Sequence, residues 1–292
     1  KRCTPTGTMA SKKTIELTLP VMGTLARVVA HGATDAAVQA AFARVRELEA
    51  ILSDYQAESE VNRLVRADGP VPLSPDLFNV LWMAQRVAKE SSGAFDVTIG
   101  PVTHAWRAAR RAQSGPPDTA KAFARCGYRL LKLDERGRLA RCLAAGMQLD
   151  LGGIAKGYAA DEALKVLRAA GTTRAMVALA GDIVAGAAPP GRRAWRIGVA
   201  GEQTVDLVHA AVSTSGDSEQ FLTGPGGRRF SHVVDPRTGK PMEGDRSVSV
   251  TARTGIEADA LSTALRVLAP HEWSGLLTKF PGARVAGSVT RT

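Results

Sequence analysis

The run Asp150-Leu151-Gly152-Gly153-Ile154-Ala155-Lys156-Gly157-Tyr158 decides the fold. Immediately upstream, residues 130–133 and 139–143 flank Asp134-Glu135-Arg136-Gly137, the pattern of a β-hairpin that delivers the chain into the glycines. Downstream, helical spacing continues to about Ala170 and Gly171 supplies the stop. Working outward, residues 14–30 alternate apolar and polar side chains around Val21-Met22-Gly23-Thr24, as a strand or hairpin does. From Asp35 the period changes: Val38, Ala41, Phe42, Val45, Leu48 and Leu52 form a helical apolar stripe. Ser74 as N-cap and Pro75 at the first helical position open a second helix, which Gly93 ends.

Farther on, short strands are predicted at 175–179, 195–199, 210–213, 230–234 and 248–251. Helices are predicted near 256–268 and 271–280, with a closing strand near 284–289. Hairpin-linked strands inside and helices outside predict the α+β class, with layered antiparallel or mixed sheets flanked by helices rather than a doubly wound parallel sheet. Residues 1–17 are predicted to be a flexible tail and 18–292 one domain or two intimately packed subdomains. The stretch 104–120, with Ser114-Gly115-Pro116-Pro117, is predicted to be a mobile surface excursion.

Composition excludes several classes. Of 292 residues, 45% are hydrophobic and 23% charged, which rules out bulk disorder, collagen and coiled coil. No apolar run approaches the roughly 18 residues of a membrane span. The net charge of +10 is uneven: residues 1–13 carry +4, residues 104–141 carry +7, and the remainder is −1. A balanced bulk and few aromatics, not interleaved with the basic cluster as single-strand stacking platforms would be, argue against nucleic acid as a partner. Cys3, Cys126 and Cys142 are too few for a disulfide scaffold, leaving one bridge, Cys126 to Cys142, open. The chain starts with Lys rather than Met, which implies that something upstream was removed.

Three segments could carry chemistry. The glycines at 152, 153 and 157 allow backbone to approach a phosphate or metal, with Asp150 and Lys156 flanking; a tight packing turn is the plainer alternative. Asp259 and Thr263, four apart on a helix, offer two oxygens on one face suited to Mg2+, against the plainer role of an acidic first turn. His232 stands at a strand end before the turn Asp235-Pro236-Arg237-Thr238-Gly239, where an imidazole could act as general base or simply be structural. Ser213-Thr214-Ser215-Gly216 offers hydroxyls without the frame of a nucleophile elbow, and reads as an ordinary loop.

In order along the chain, these segments resemble the FAD:protein FMN transferase family, the ApbE-like flavin transferases. The resemblance rests on 21–24, 52–56 with 59–61, 93–101, 150–161, 181–183, 213–216, 231–239 and 257–263, and covers about residues 18 to 290. It implies an ApbE-like, T-fold-related α+β architecture. It also implies Mg2+-dependent transfer of FMN from FAD to a threonine hydroxyl of an acceptor flavoprotein, releasing AMP; FAD hydrolysis and non-catalytic flavin binding are the alternatives. Asp259, Thr263 and the carbonyl of Ala155 would hold Mg2+, with Ser262 a fourth candidate. FAD would be contacted at Met22, Tyr55, Ala94, Phe95, Asp96, Gly152, Lys156, Tyr158 and Val234, and His232 would activate the acceptor. Tyr55 occupies a position whose identity favours transfer over hydrolysis. The implied partner is an acceptor subunit of a membrane-associated redox complex, with peripheral membrane association, in the bacterial periplasm or cell envelope, the cytoplasm being the alternative. Ala180 departs from the family, which usually has glycine there. The basic excursion, including Arg107, Arg110 and Arg111, is expected to help dock the acceptor or an anionic surface.

Overall fold

The computed structural model describes residues 13–216, 221–223, 229–242 and 245–291. Its first half comprises β1 (Thr14–Val21), β2 (Thr24–His31), α1 (Asp35–Leu52), α2 (Glu60–Arg66), β3 (Val71–Pro72), α3 (Pro75–Glu90), α4 (Gly100–Arg111), α5 (Ala120–Phe123), β4 (Leu131–Asp134) and β5 (Leu139–Cys142). The second half comprises α6 (Ala155–Ala169), β6 (Ala175–Leu179), β7 (Asp182–Ala185), β8 (Trp195–Val199), β9 (Gln203–Leu207), β10 (Ala210–Ser215), β11 (Phe221–Thr223), β12 (Arg229–Ser231), β13 (Val234–Asp235), β14 (Lys240–Pro241), β15 (Asp245–Ala252), α7 (Gly255–Val267), α8 (Trp273–Leu277) and β16 (Arg284–Arg291).

The central sheet runs β1-β2-β6-β7-β10-β15-β16 and every neighbouring pair is antiparallel. Helices α1, α6 and α7 cover one face, which holds the main core. Strand β6 shows the division: Ala175, Val177 and Leu179 point into that core, while Met176 joins Val29, Trp195, Leu207 and Val212 on the other face under the β8–β9 hairpin. Helix α1 forms where expected because Thr34 Oγ1 accepts from the Ala37 amide (3.2 Å) and the Val38-to-Leu52 stripe is buried. Helix α3 starts on Ser74, whose Oγ accepts from Leu77 N–H (3.2 Å), and the chain leaves it through Gly93 at φ +83°.

Several expectations are corrected. Strand β1 begins at Thr14, inside the stretch assigned to a tail; Cys3 lies outside the described residues. Residues 104–111 are not an excursion but the body of α4, because Pro101 sits in its first turn and Val102, Thr103 and Ala109 are buried; irregular chain begins at 112. The strand expected at 230–234 is broken by a bend at His232 into β12 and β13. Ser213, Thr214 and Ser215 belong to β10 rather than to a loop. Both Cys126 and Cys142 are free thiols, Cys126 beside Ile99 and Val102 and Cys142 against the main core, and burial pushes each thiol up to about 11. No helix among the described residues is long and apolar enough to cross a membrane.

Candidate functional site

Two helix starts and two strands meet at one cluster of oxygens. Asp182 opens β7, and the antiparallel register sets Ser213 of β10 directly opposite. Ser213 Oγ donates to Asp182 Oδ1 (2.5 Å) and lies 3.0 Å from Ser262 Oγ on α7, which in turn donates to the Asp259 carbonyl at 3.0 Å. Asp259 Oδ2 accepts from the Gly157 amide (3.0 Å) at the start of α6. Lys156 Nζ donates to the Gly152 carbonyl (2.7 Å) and pairs with Asp182 (3.2 Å) and Asp259 (3.8 Å). The hydroxyls and both carboxylates are buried.

The glycines permit this convergence. At Gly157 a Cβ would stand 2.7 Å from Asp259 Cβ and closer still to the Gly255 carbonyl oxygen, so α6 and α7 cross backbone to backbone. At Gly153 a Cβ would come within 2.9 Å of Thr263 Oγ1. Asp259 and Thr263 therefore both face the first turn of α6, where Ala155 begins the helix.

The charge balance is unusual for a core. Two buried carboxylates share one ammonium, an excess of negative charge that desolvation makes costly. Burial first, and then the charge of Asp182, raise the Asp259 carboxyl above the usual carboxylate range, while Lys156 and two backbone amides act in the opposite sense. Burial would lower Lys156, but Asp182 and Asp259 overcome it and raise its pKa. Among the described residues no group of three or more His, Cys, Asp or Glu side chains could hold a metal. A cation here would instead meet two carboxylates with hydroxyl and carbonyl oxygens, a hard, all-oxygen set.

A second wall adjoins the glycine turn. Arg107 of α4 bridges Asp54 and Asp150, its Nη2 donating to Asp150 Oδ2 at 2.6 Å, and Asp150 Oδ1 accepts from the Gly152 amide at 2.9 Å. His104 Nε2 also meets Asp54 (2.8 Å). Burial alone would raise Asp150, but the Arg107 guanidinium with hydrogen bonds from Thr103 and Gly152 holds its carboxyl below the usual range. Tyr55, 66% exposed, has its ring 5.1 Å from the Arg107 guanidinium and 5.9 Å from that of Arg111. Its loop is fixed by Ser53 Oγ, which accepts from the amides of Tyr55 and Gln56, and by Asn62, which donates to three carbonyls. Arg107 is thus a structural ion-pair partner, not the free docking cation that charge counting suggests.

The remaining predicted residues are placed as follows. Met22 lies in the β1–β2 turn at φ +52°. Ala94, Phe95 and Asp96 are buried before α4; Asp96 Oδ1 accepts from the Thr98 amide and hydroxyl (2.8 and 2.7 Å), and burial raises its carboxyl. Val234 packs with Ile99 and Val102. The Tyr158 ring is in the core with its hydroxyl donated to Asp76 (2.7 Å). His232 is half-buried at the β12–β13 bend, in a segment tied to α7 by Arg266 Nη2 donating to Ser231 Oγ (3.0 Å). Asp182, Ser213, Asp54 and Arg107 were not singled out as site residues by sequence reasoning. The available signal was Asp182 as the one charge in the otherwise apolar strand β7.

A family model described as the ApbE family matches residues 22–286. The FAD:protein FMN transferase of Treponema pallidum is 33% identical over 293 residues, covering 90% of this chain and 81% of the relative. That of Klebsiella pneumoniae is 30% identical over 272 residues, covering 86% of this chain and 77% of the relative. Among solved structures, the apo form of the flavinyl transferase ApbE of Pseudomonas stutzeri superposes with a TM-score of 0.82 at 29% identity, covering 97% of this chain and 96% of the other.

Proposed function

This chain belongs to the ApbE family, and from that premise we propose that it is an FAD:protein FMN transferase that moves FMN from FAD to a threonine hydroxyl of an acceptor flavoprotein. The observation that carries the reading is the buried oxygen cluster of Asp182, Ser213, Asp259 and Ser262 where α6 and α7 cross, with Thr263 against the glycine turn. Its excess negative charge and all-oxygen donors fit Mg2+, which Asp259, Thr263 and the Ala155 carbonyl would hold. Mg2+ when bound would supply neutralisation of charge on the pyrophosphate oxygens.

The chain's own residues account for the rest. Lys156, fixed between Asp182 and Asp259 and the Gly152 carbonyl, places a permanent positive charge beside the glycine turn where phosphate oxygens would lie. Tyr55, its ring near two guanidinium groups yet 66% exposed, offers ring surface to a flavin. His232 accepts the threonine proton as the hydroxyl oxygen bonds to the FMN phosphorus; the phosphorus–oxygen bond to AMP breaks and AMP leaves with that electron pair. The acceptor we propose is a subunit of a membrane-associated redox complex.

The test is incubation of the full chain with FAD, Mg2+ and a candidate acceptor domain, followed by mass spectrometry. One FMN on a threonine and one AMP per label are expected, and Asp259→Ala should abolish both. AMP and free FMN without label would make water the acceptor, and FAD left intact would make the chain a flavin binder; either overturns the reading.

A further inference from the structure

A cavity of about 250 Å3 opens beside α6 from Tyr158 to Arg168, the end of β7, the start of β10 and the start of α7. None of Asp182, Ser213, Asp259 or Thr263 lines it. We propose that it is a second anion site, for a small phosphate-class dianion or polyanion.

Its walls bring three cations and an imidazole from three separate elements to one concavity: Lys165 and Arg168 from α6, His209 from the β9–β10 turn, and Arg253 from the β15–α7 connection. Lys165 is paired with Glu162 (2.5 Å), but among the described residues neither Arg168 nor Arg253 has a carboxylate partner. The one carboxylate in the wall, Asp161, offsets one of the two guanidinium charges and leaves the other in excess. Asp161 is half-buried, and its two oxygens accept from the amides of Gly255 (2.7 Å) and Ile256 (3.0 Å). Arg168 Nη2 donates to His209 Nδ1 (3.4 Å), which leaves the imidazole Nε2–H as a further donor. His209 sits at φ +49°, in the left-handed region that costs a non-glycine residue about 1 kcal/mol or more.

Size and donor chemistry define the ligand class. The cavity is below the roughly 300–1,000 Å3 of sites that take drug-sized ligands, so a whole dinucleotide does not fit. Two guanidinium groups without a carboxylate partner among the described residues match the planar, bidentate recognition of phosphate oxygens, which lysine clusters do not provide.

The probe is inorganic pyrophosphate, titrated calorimetrically into the full chain without Mg2+, FAD or acceptor, so the outcome is independent of the transfer reaction. The comparison is the double variant Arg168→Gln with Arg253→Gln, both positions exposed. Binding by the native chain should weaken by about tenfold or more in the variant, and should weaken as salt is added, while the melting temperature stays put. Equal binding by both proteins, or no binding by the native chain up to about 10 mM, would overturn the proposal.

Discussion

Gly157→Ala sets two effects of opposite sign against each other. In an ordinary helix interior, alanine in place of glycine stabilises by about 0.5–1 kcal/mol, through propensity and a less disordered unfolded chain. At 157 the added methyl would stand 2.7 Å from Asp259 Cβ and nearer still to the Gly255 carbonyl, whereas ordinary contact begins near 3.4 Å. The nearest atom is backbone, so no rotamer change relieves the clash, and α7 must retreat by roughly an ångström at a cost of about 3 kcal/mol. The net expectation is a loss of about 2 kcal/mol, or roughly 4–8 °C in melting temperature. Because Asp259, Ser262 and Thr263 travel with α7, affinity for Mg2+ should fall alongside stability, read by calorimetric titration of the metal. A variant that melts higher than the native protein, as propensity alone demands, would refute the backbone-to-backbone crossing.

Other expectations follow from the same geometry. Ala180 holds φ +51° between β6 and β7, so Ala180→Gly should raise stability by up to about 1 kcal/mol in denaturant unfolding. Arg107→Met leaves the half-buried Asp54 and Asp150 without their cation and should cost about 2–4 kcal/mol at pH 7. Asp150 is held below its ordinary 3.8, so the stability from this bridge is present above that pH and lost as pH falls through the lowered value. The Arg107→Met deficit should accordingly shrink on acidification, and a constant deficit would argue for lost packing instead. Asp161 has the opposite sign: burial raises it from 3.8 to about 6, the amides of Gly255 and Ile256 only partly opposing. Its contribution is present below pH 3.8 and lost as pH rises through about 6, so Asp161→Asn should gain on the native protein across that window by up to about 3 kcal/mol.

The elements that could be read from sequence were those whose own periodicity or caps specify them. Helix α1 shows its stripe, α3 its Ser74-Pro75 start, and the hairpin of β4 and β5 its turn residues. Helix α4 was hidden because Arg107, Arg110 and Arg111 crowd its C-terminal half, and charge counting read that run as an excursion. The site divided in the same way. Asp259 and Thr263 are four apart on one helix and were visible as a pair. Asp182 and Ser213 are 31 residues apart and meet only through strand register, while Arg107 reaches Asp54 across 53 residues. Local pattern carries no record of such long-range partners.

The register that sets Ser213 opposite Asp182 also bears on how faithfully the chain folds. Sliding β10 by one residue along β7 would turn Ser213 to the opposite face and put Val212 or Thr214 beside Asp182. A carboxylate stripped of its hydroxyl donor in that interior costs about 1.5–3 kcal/mol. The apolar neighbours Ala211 and Val212 discriminate far less between the two alignments. The polar pair that shapes the site is thus also a checksum on strand alignment, and a chain that folds out of frame is penalised at the very atoms it would need for chemistry.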